Sequence, residues 1–239
     1  MKKTIFLLIV FASFTAYAQE TTSGSRISVG LNFSPDYNFR TISRDENGDG
    51  IDLTVKSRND REVAKIGYTA GLNMAIKISK NVAFETGLQY SDKGYQTKTM
   101  DLVFEGDPTN PLLPAKATFH YSYHYIGVPL KLNLFFGEGD LRVVSGIGVT
   151  TNFLLNVQNR NNFEYSDGKK ETTKSKGTDG FNKIDVSPMI SFGIDYKLTN
   201  TIHLRAEPTF RYGIIKLNHS PIKENLWNAG VNLGVSYGL

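Results

Sequence analysis

Residues 66–79 read IGYTAGLNMAIKIS, and apolar side chains alternate with small or polar ones along the whole stretch. The apolar positions are Ile66, Tyr68, Ala70, Leu72, Met74, Ile76 and Ile78. A helix would repeat its apolar positions every three or four residues, whereas a β-strand sends successive side chains to opposite faces. The stretch therefore predicts a β-strand with one apolar face and one polar face.

Seven other stretches alternate in the same way, which makes eight predicted strands. They are residues 26–34, 82–90, 119–136, 141–157, 184–198, 202–212 and 227–239. Within 119–136 the large side chains change parity near Tyr125. Because an extra residue in a strand reverses the facing of the side chains beyond it, a β-bulge is expected at 125–127.

The connections between these strands alternate in length. Long polar segments cover residues 40–64, 92–118, 158–182 and 215–224, and short turns lie at 79–81, 137–140 and 198–200. Outer-membrane barrels keep short periplasmic turns and longer outward loops. The pattern predicts an all-β fold, an eight-stranded antiparallel up-and-down transmembrane β-barrel in the cell outer membrane. Its last strand has to pair with the first, so we expect residues 27–33 to lie against residues 227–239.

The N-terminus has the composition of a secretory signal peptide. Lys2 and Lys3 precede an apolar run over residues 4–14, and Ala16-Tyr17-Ala18 forms a small-x-small cleavage motif. The apolar run is shorter than the roughly 20 residues that a membrane-spanning helix needs, although a retained anchor is the competing interpretation. We expect residues 1–18 to be the signal peptide and residues 19–239 to form the barrel domain.

Composition excludes several classes of function. The chain contains no cysteine, which rules out disulfides, thiol catalysis and cysteine-based zinc sites. The formal net charge is only +4, and Lys2 and Lys3 contribute to it, so the charge balance gives no argument for a nucleic-acid partner.

Alternation alone leaves open whether the apolar faces contact lipid or a soluble, lipocalin-like core. The polar faces combine many glycines with ions of both signs, which suits a narrow lumen in which only small residues fit beside long ones. Tyrosine and tryptophan near the strand ends suit the two membrane–water interfaces. We expect this position for Tyr68, Tyr90, Tyr121, Tyr123, Tyr196, Tyr212, Trp227 and Tyr237. A soluble periplasmic lipocalin-like binder is the alternative.

Charged residues on the predicted inward faces should pair with one another. An unpaired charge in a tight lumen of low dielectric is too costly to keep. The expected acids are Glu85, Asp185, Asp195 and Glu207, and the expected bases are Lys77, Lys131, Arg142, Arg205 and Arg211. A lumen filled in this way leaves no wide channel, so a porin is not predicted.

Several short motifs carry a resemblance to a known family. They are GLQY at 87–90 followed by Lys93-Gly94, YIGVPL at 125–130, GIG at 146–148, GVSYGL at 234–239 and the signal peptide ending at Ala18-Gln19. The mature chain resembles the PorT-like outer-membrane β-barrel proteins of Bacteroidetes. The resemblance implies a Gram-negative outer-membrane protein and carries over no catalytic residues. The chain ends in Leu239, where outer-membrane barrels usually end in an aromatic residue.

The first long loop contains a possible calcium site. DENGDG at 45–50 places oxygen ligands at positions 1, 3 and 5 of an EF-hand-like loop and a glycine at position 6. The expected ligands are Asp45, Asn47 and Asp49. Position 12 is Lys56 instead of the closing glutamate, and the flanks are predicted as loop and strand. A polar turn cluster is therefore the competing interpretation, and no other cofactor site is predicted.

Two further sets of residues are candidate sites. His120, His124 and His219 could meet Asp92 or Asp101 at the outer rim, as a rim-type enzyme would require. The lysine-rich segment at 168–177 is expected to be a solvated loop, with contact to lipopolysaccharide phosphates as the functional alternative.

No catalytic constellation is predicted, and we expect no enzyme. The expected function is a structural or interaction role through the extracellular loops, with outer-membrane lipid, lipopolysaccharide and envelope proteins as partners. A subunit of a secretion or transport assembly is the alternative, since some members of the resembled family have that role.

Overall fold

The computed structural model describes residues 26–44, 49–104, 112–218 and 220–239. The predicted signal peptide lies outside them, so its cleavage and the domain boundary stay predictions. The described part contains the strands β1 (Ile27–Arg44), β2 (Glu62–Lys77), β3 (Val82–Thr97), β4 (Met100–Asp101), β5 (Pro114–Phe136), β6 (Leu141–Tyr165), β7 (Lys170–Gly177), β8 (Ile184–Lys197), β9 (Ile202–Tyr212) and β10 (Ile222–Gly238). Helix α1 (Asp49–Arg61) joins β1 to β2. No helix of this part has the length and apolar composition to cross a membrane.

Eight antiparallel strands close into a ring in the order β1-β2-β3-β5-β6-β8-β9-β10. The first and last strands pair from Ser28↔Gly238 to Arg44↔Ile222, which confirms the predicted seam and the up-and-down barrel. Closure matters because hydrocarbon offers no partner for an open sheet edge, so every backbone amide must bond within the protein.

The apolar faces point outward, as β8 illustrates. Ile190 and Phe192 are 60% and 63% exposed, whereas Ser191 between them is 6% exposed. Within the membrane the inward faces of the ring strands are mostly polar and buried, so the barrel has the lipid-facing arrangement. The lipocalin-like alternative, with an apolar interior, is wrong.

The strands continue well beyond the predicted boundaries on one side of the barrel. β5 and β6 have 23 and 25 residues, whereas about 10 residues cross a bilayer. Much of the polar sequence predicted as outward loop is therefore strand, while the short turns lie where predicted, at the periplasmic end. We call the strand parts above the membrane the outer collar; it comprises residues 38–44, 62–66, 91–97, 114–124, 156–165, 170–177 and 222–226.

Two elements of the outward connections were not predicted. α1 begins at Asp49, within the calcium-like motif, although the flanks of that motif were predicted as loop and strand. Its Thr54 hydroxyl donates to the Gly50 carbonyl, and Arg58 and Arg61 lie in its last turn, where cations favour the helix dipole. β7 forms a hairpin with β6, so the lysine-rich segment is not a loop, although its side chains are solvent-exposed as expected.

The irregularity predicted in β5 lies instead in β6. His124 pairs with Asn156 and Tyr125 pairs with Leu154, which leaves Leu155 as the extra residue. β5 keeps one parity throughout, so Tyr123 and Tyr125 point into the barrel, and each is 2% exposed. The change of apolar face has a simple cause: above the membrane the apolar side chains fill the interior.

Candidate functional site

The lower lumen contains a network of ion pairs centred on Arg205. Its Nη1 lies 2.8 Å from Glu85 Oε2, and its Nε lies 3.3 Å from Asp195 Oδ1. Asp195 also pairs with Arg142 at 2.9 Å and accepts a hydrogen bond from His203 Nδ1 at 3.1 Å. These contacts confirm the predicted inward pairing of Glu85 and Asp195 with Arg142 and Arg205.

At mid-height Lys131 Nζ donates to both carboxylate oxygens of Glu207, at 2.8 and 2.9 Å. Glu207 is fully buried and also accepts a hydrogen bond from the Ser191 hydroxyl at 3.2 Å. The lysine side chain has room because Gly146 faces it: a Cβ there would overlap Lys131 Cε. Long charged side chains with small residues beside them thus fill this narrow barrel.

The next layer contains partners that the sequence analysis missed. Arg211 lies 3.6 Å from Asp36, and Lys93 lies 3.5 Å from Asp185. Asp36 further accepts hydrogen bonds from Ser34 and Thr69, both at 2.6 Å. Asp36 and Lys93 were missed because β1 and β3 were predicted to end before them. Their alternation continues with polar residues inward, and that continuation was the available signal.

Only small spaces remain along the described lumen. The cavity at the periplasmic mouth, lined by Lys77, Arg142, Asp195 and His203 among others, has a volume of about 40 Å³. Two further cavities measure about 20 and 10 Å³. Spaces of this size admit at most a few water molecules.

Helix α1 closes the extracellular mouth through Arg58. Its guanidinium lies 2.9 Å from Glu224 and 2.7 Å from Glu62, and it donates to the Tyr95 hydroxyl at 3.0 Å. Burial lowers the pKa of Arg58, but the hydrogen bonds with Glu224 and Glu62 outweigh it and raise that pKa above its usual value. Arg40 joins from β1, with its Nη2 2.7 Å from Glu62.

Beneath this ionic layer lies an apolar plug, which packs inside the collar. Its buried members are Tyr95, Tyr123, Tyr125, Leu154, Val157, Leu217 and Leu226, with Phe39, Tyr121 and Phe181 packed against them. Tyr95 connects the two layers, because its hydroxyl donates to Glu224 Oε2 at 2.8 Å. The prediction that Tyr121 and Tyr123 contact lipid is therefore wrong, since both rings stabilise the collar from within.

The outward-facing aromatic residues form a row around the barrel at the base of the collar. Phe33, Tyr68 and Tyr90 contact one another in turn, with centroids 6.1 and 5.9 Å apart. Further along the row, Trp227 on β10 contacts Tyr37 on β1 and Phe210 on β9. Tyr196 and Tyr237 face outward near the periplasmic end. These positions agree with two membrane interfaces.

His124 is the predicted histidine that does meet a carboxylate. Its Nδ1 lies 2.7 Å from the Tyr90 hydroxyl and 3.9 Å from Asp92 Oδ1. Asp92 is itself 2.7 Å from Lys65 Nζ, which also donates to the Ser122 hydroxyl. Burial lowers the pKa of Lys65, and the hydrogen bond and ion pair with Asp92 offset that effect only in part.

The other rim residues do not complete a catalytic group. His120 Nε2 lies 3.1 Å from Asn162 Nδ2, and no described serine is hydrogen-bonded to either His120 or His124. His219 lies outside the described residues. Nucleophilic catalysis requires a nucleophile within hydrogen-bond reach of its base, and in the described rim neither His120 nor His124 has such a serine.

The calcium prediction falls largely outside the described residues. Asp45 and Asn47 are not among them, and for Asp49 only the backbone, the first residue of α1, is described. In the part of the chain that is described, no group of three or more histidine, aspartate and glutamate side chains is placed to hold a metal ion. The site therefore stays a prediction.

Comparison with known proteins gives a family match and several structural likenesses. A family described as "Outer membrane protein beta-barrel domain" matches residues 17–219. The fold is similar to that of Neisserial surface protein A, at 13% identity and a TM-score of 0.46, covering 91% of this chain and 100% of that one. OprG from Pseudomonas aeruginosa has 12% identity and a TM-score of 0.44, with 90% and 98% covered. No curated protein sequence matches.

Proposed function

Since the chain belongs to the outer membrane protein β-barrel domain family, we propose that this outer-membrane barrel is a structural and interaction protein that acts through its outer collar. The observation that carries the proposal is the filled lumen. Ion pairs occupy it at several levels, and α1 and the aromatic plug close the outer end. We therefore expect partners to bind the outer surface of the protein. The collar is the part of that surface that lies outside the bilayer.

The described rim supports a role without catalysis. Lys65 is held by Asp92, and His124 bonds to Tyr90, so the groups that could do proton transfer are engaged in structural contacts. A collar built of long paired strands is also a rigid platform, which lowers the entropy lost when a partner binds.

A second candidate is a subunit of a secretion or transport assembly in the outer membrane. The motif resemblance to PorT-like proteins of Bacteroidetes supports it, and so does the exposed strand β7. Among the described residues β7 pairs with β6 alone and ends the sheet, so one of its edges is open to a partner strand.

The closed lumen predicts an electrical result. The refolded barrel in planar lipid bilayers should show no stepwise conductance, because ion pairs and the apolar plug fill its described lumen. A general porin inserted into the same bilayers serves as the positive control. Reproducible steps of one size from the purified barrel would contradict the sealed lumen.

The interaction role is tested by photo-cross-linking in intact cells. A photoreactive amino acid at Thr172 or Ser175 on β7 should give products with outer-membrane components, whereas the same group at Lys80, in a periplasmic turn, should not give those products. A defined protein product would support the assembly subunit, and a glycolipid product would support lipid contact. If no collar position gives any product, the proposed role is overturned.

A further inference from the structure

The register of β5, β6 and β7 places basic residues directly opposite one another. His120 pairs with Arg160, and Arg160 pairs with Lys174. The row two residues nearer the membrane pairs Ser122 with Gln158 and Gln158 with Lys176. Tyr123 and Val157, next to Ser122 and Gln158 in the chain, are buried inside the barrel, so by alternation the members of both rows face outward.

This arrangement works against the stability of the isolated sheet. Like charges directly opposite each other on neighbouring strands repel, and here Arg160 and Lys174 both lie on the exposed outer face. The nearby acids are occupied, since Asp92 pairs with Lys65 and Glu164 lies 3.8 Å from Lys170. We call His120, Arg160, Lys174 and Lys176 the basic patch.

The basic patch lies on the collar, outward of the aromatic row that marks the membrane interface. His124 stacks on Tyr90 of the aromatic row, with centroids 5.9 Å apart. His120 lies four residues further along β5, which is roughly 13 Å along the strand and less along the membrane normal because the strands tilt. The headgroup layer of a bilayer is about 5–8 Å thick on each side, and lipopolysaccharide carries its sugars and phosphates further outward.

We propose that the basic patch binds the phosphate groups of lipopolysaccharide, the anionic glycolipid of the outer leaflet. Arg160 supplies a planar fork suited to bidentate phosphate binding, and Lys174 and Lys176 supply point charges. Ser122, Gln158 and Asn162 add hydrogen-bonding groups on the same face. Bound phosphate also offsets the repulsion within the row. This inference rests on the proposed interaction role and names one partner for it.

The test compares two charge-matched double variants in detergent. Arg160→Gln/Lys174→Gln removes two charges from the basic patch, and Lys56→Gln/Lys80→Gln removes two exposed charges elsewhere. We expect the first variant to bind purified lipopolysaccharide at least about tenfold more weakly at low salt and the second to bind like the unmodified protein. Dephosphorylated lipopolysaccharide should bind the unmodified protein as weakly as intact lipopolysaccharide binds the first variant.

Equal binding by both variants, or undiminished binding of dephosphorylated lipopolysaccharide, would overturn the proposal. Heat-modifiable gel mobility checks that both variants are folded, which is expected because the four side chains are exposed. Protein products in the cross-linking experiment together with unchanged lipopolysaccharide binding would leave the interaction role standing and remove only this partner.

Discussion

Glu207→Ala should lower the free energy of unfolding by about 3–5 kcal/mol, because it leaves the ammonium of Lys131 buried without its partner. Glu207 is fully buried and accepts both hydrogen bonds that Lys131 donates, at 2.8 and 2.9 Å. Arg205 Nη1 lies 3.9 Å from the same carboxylate, so a second cation also loses a neighbour. The chain has one tryptophan, Trp227, whose fluorescence reports unfolding in denaturant titrations from lipid vesicles.

Two further variants separate the loss of the pair from the loss of packing. Glu207→Leu/Lys131→Met removes both charges while keeping apolar volume and should recover most of the stability, because replacing a whole buried pair is often close to neutral. Glu138→Ala, in an exposed turn, should change the free energy of unfolding by no more than about 0.5 kcal/mol. If Glu207→Ala is as mild as Glu138→Ala, the lumen is wetter than these contacts indicate.

Leu72→Arg should cost about 2–4 kcal/mol of folding stability in a bilayer, because it places a charge on the lipid face near the middle of the membrane. Leu72 is 61% exposed in the isolated chain, and it lies between Tyr68 in the aromatic row and the end of β2 at Lys77. On a water-facing surface the same substitution would have little effect. Denaturant titration in lipid vesicles measures the difference.

Leu53→Arg is the matched control for this experiment. Leu53 is 69% exposed and lies on α1, outside the membrane, so it offers the same side-chain change at similar exposure. We expect a loss within about 0.5 kcal/mol. Equal effects of the two substitutions would mean that the apolar face of β2 does not contact hydrocarbon.

Many of the charged residues in the lumen could be predicted from the residue pattern. Alternation identified Glu85, Asp195, Glu207 and their basic neighbours as inward, and their pairing followed from the cost of burying a lone charge. The partners of Asp185 and Arg211 were not predicted, because Lys93 and Asp36 lie on strand extensions whose polar composition is typical of loops. Backbone pairing with a neighbouring strand keeps such residues extended, and a local pattern carries no information about that neighbour.

The positions of the β5 tyrosines could not be predicted from residue type. An outward position at the membrane interface and an inward position in a plug above it suit the same ring, so residue type did not distinguish them. The strand register determines the inward position of the ring. Tyr123 pairs with Val157 beyond the bulge at Leu155, and both side chains are buried. The basic patch likewise exists only through cross-strand register, since His120, Arg160 and Lys174 are far apart in the chain.

The amino-acid sequence by itself determined the number of membrane-crossing strands, which of their faces is apolar, where the short turns lie and that the ends of the chain must meet. Each of these follows from side-chain periodicity within one strand and from the need to pair backbone amides in hydrocarbon. Only the tertiary structure decided which ions pair across the lumen, that α1 and the tyrosines close the mouth, and which cations gather outside. Those contacts depend on strand tilt and register, which are properties of the closed ring and not of any single strand.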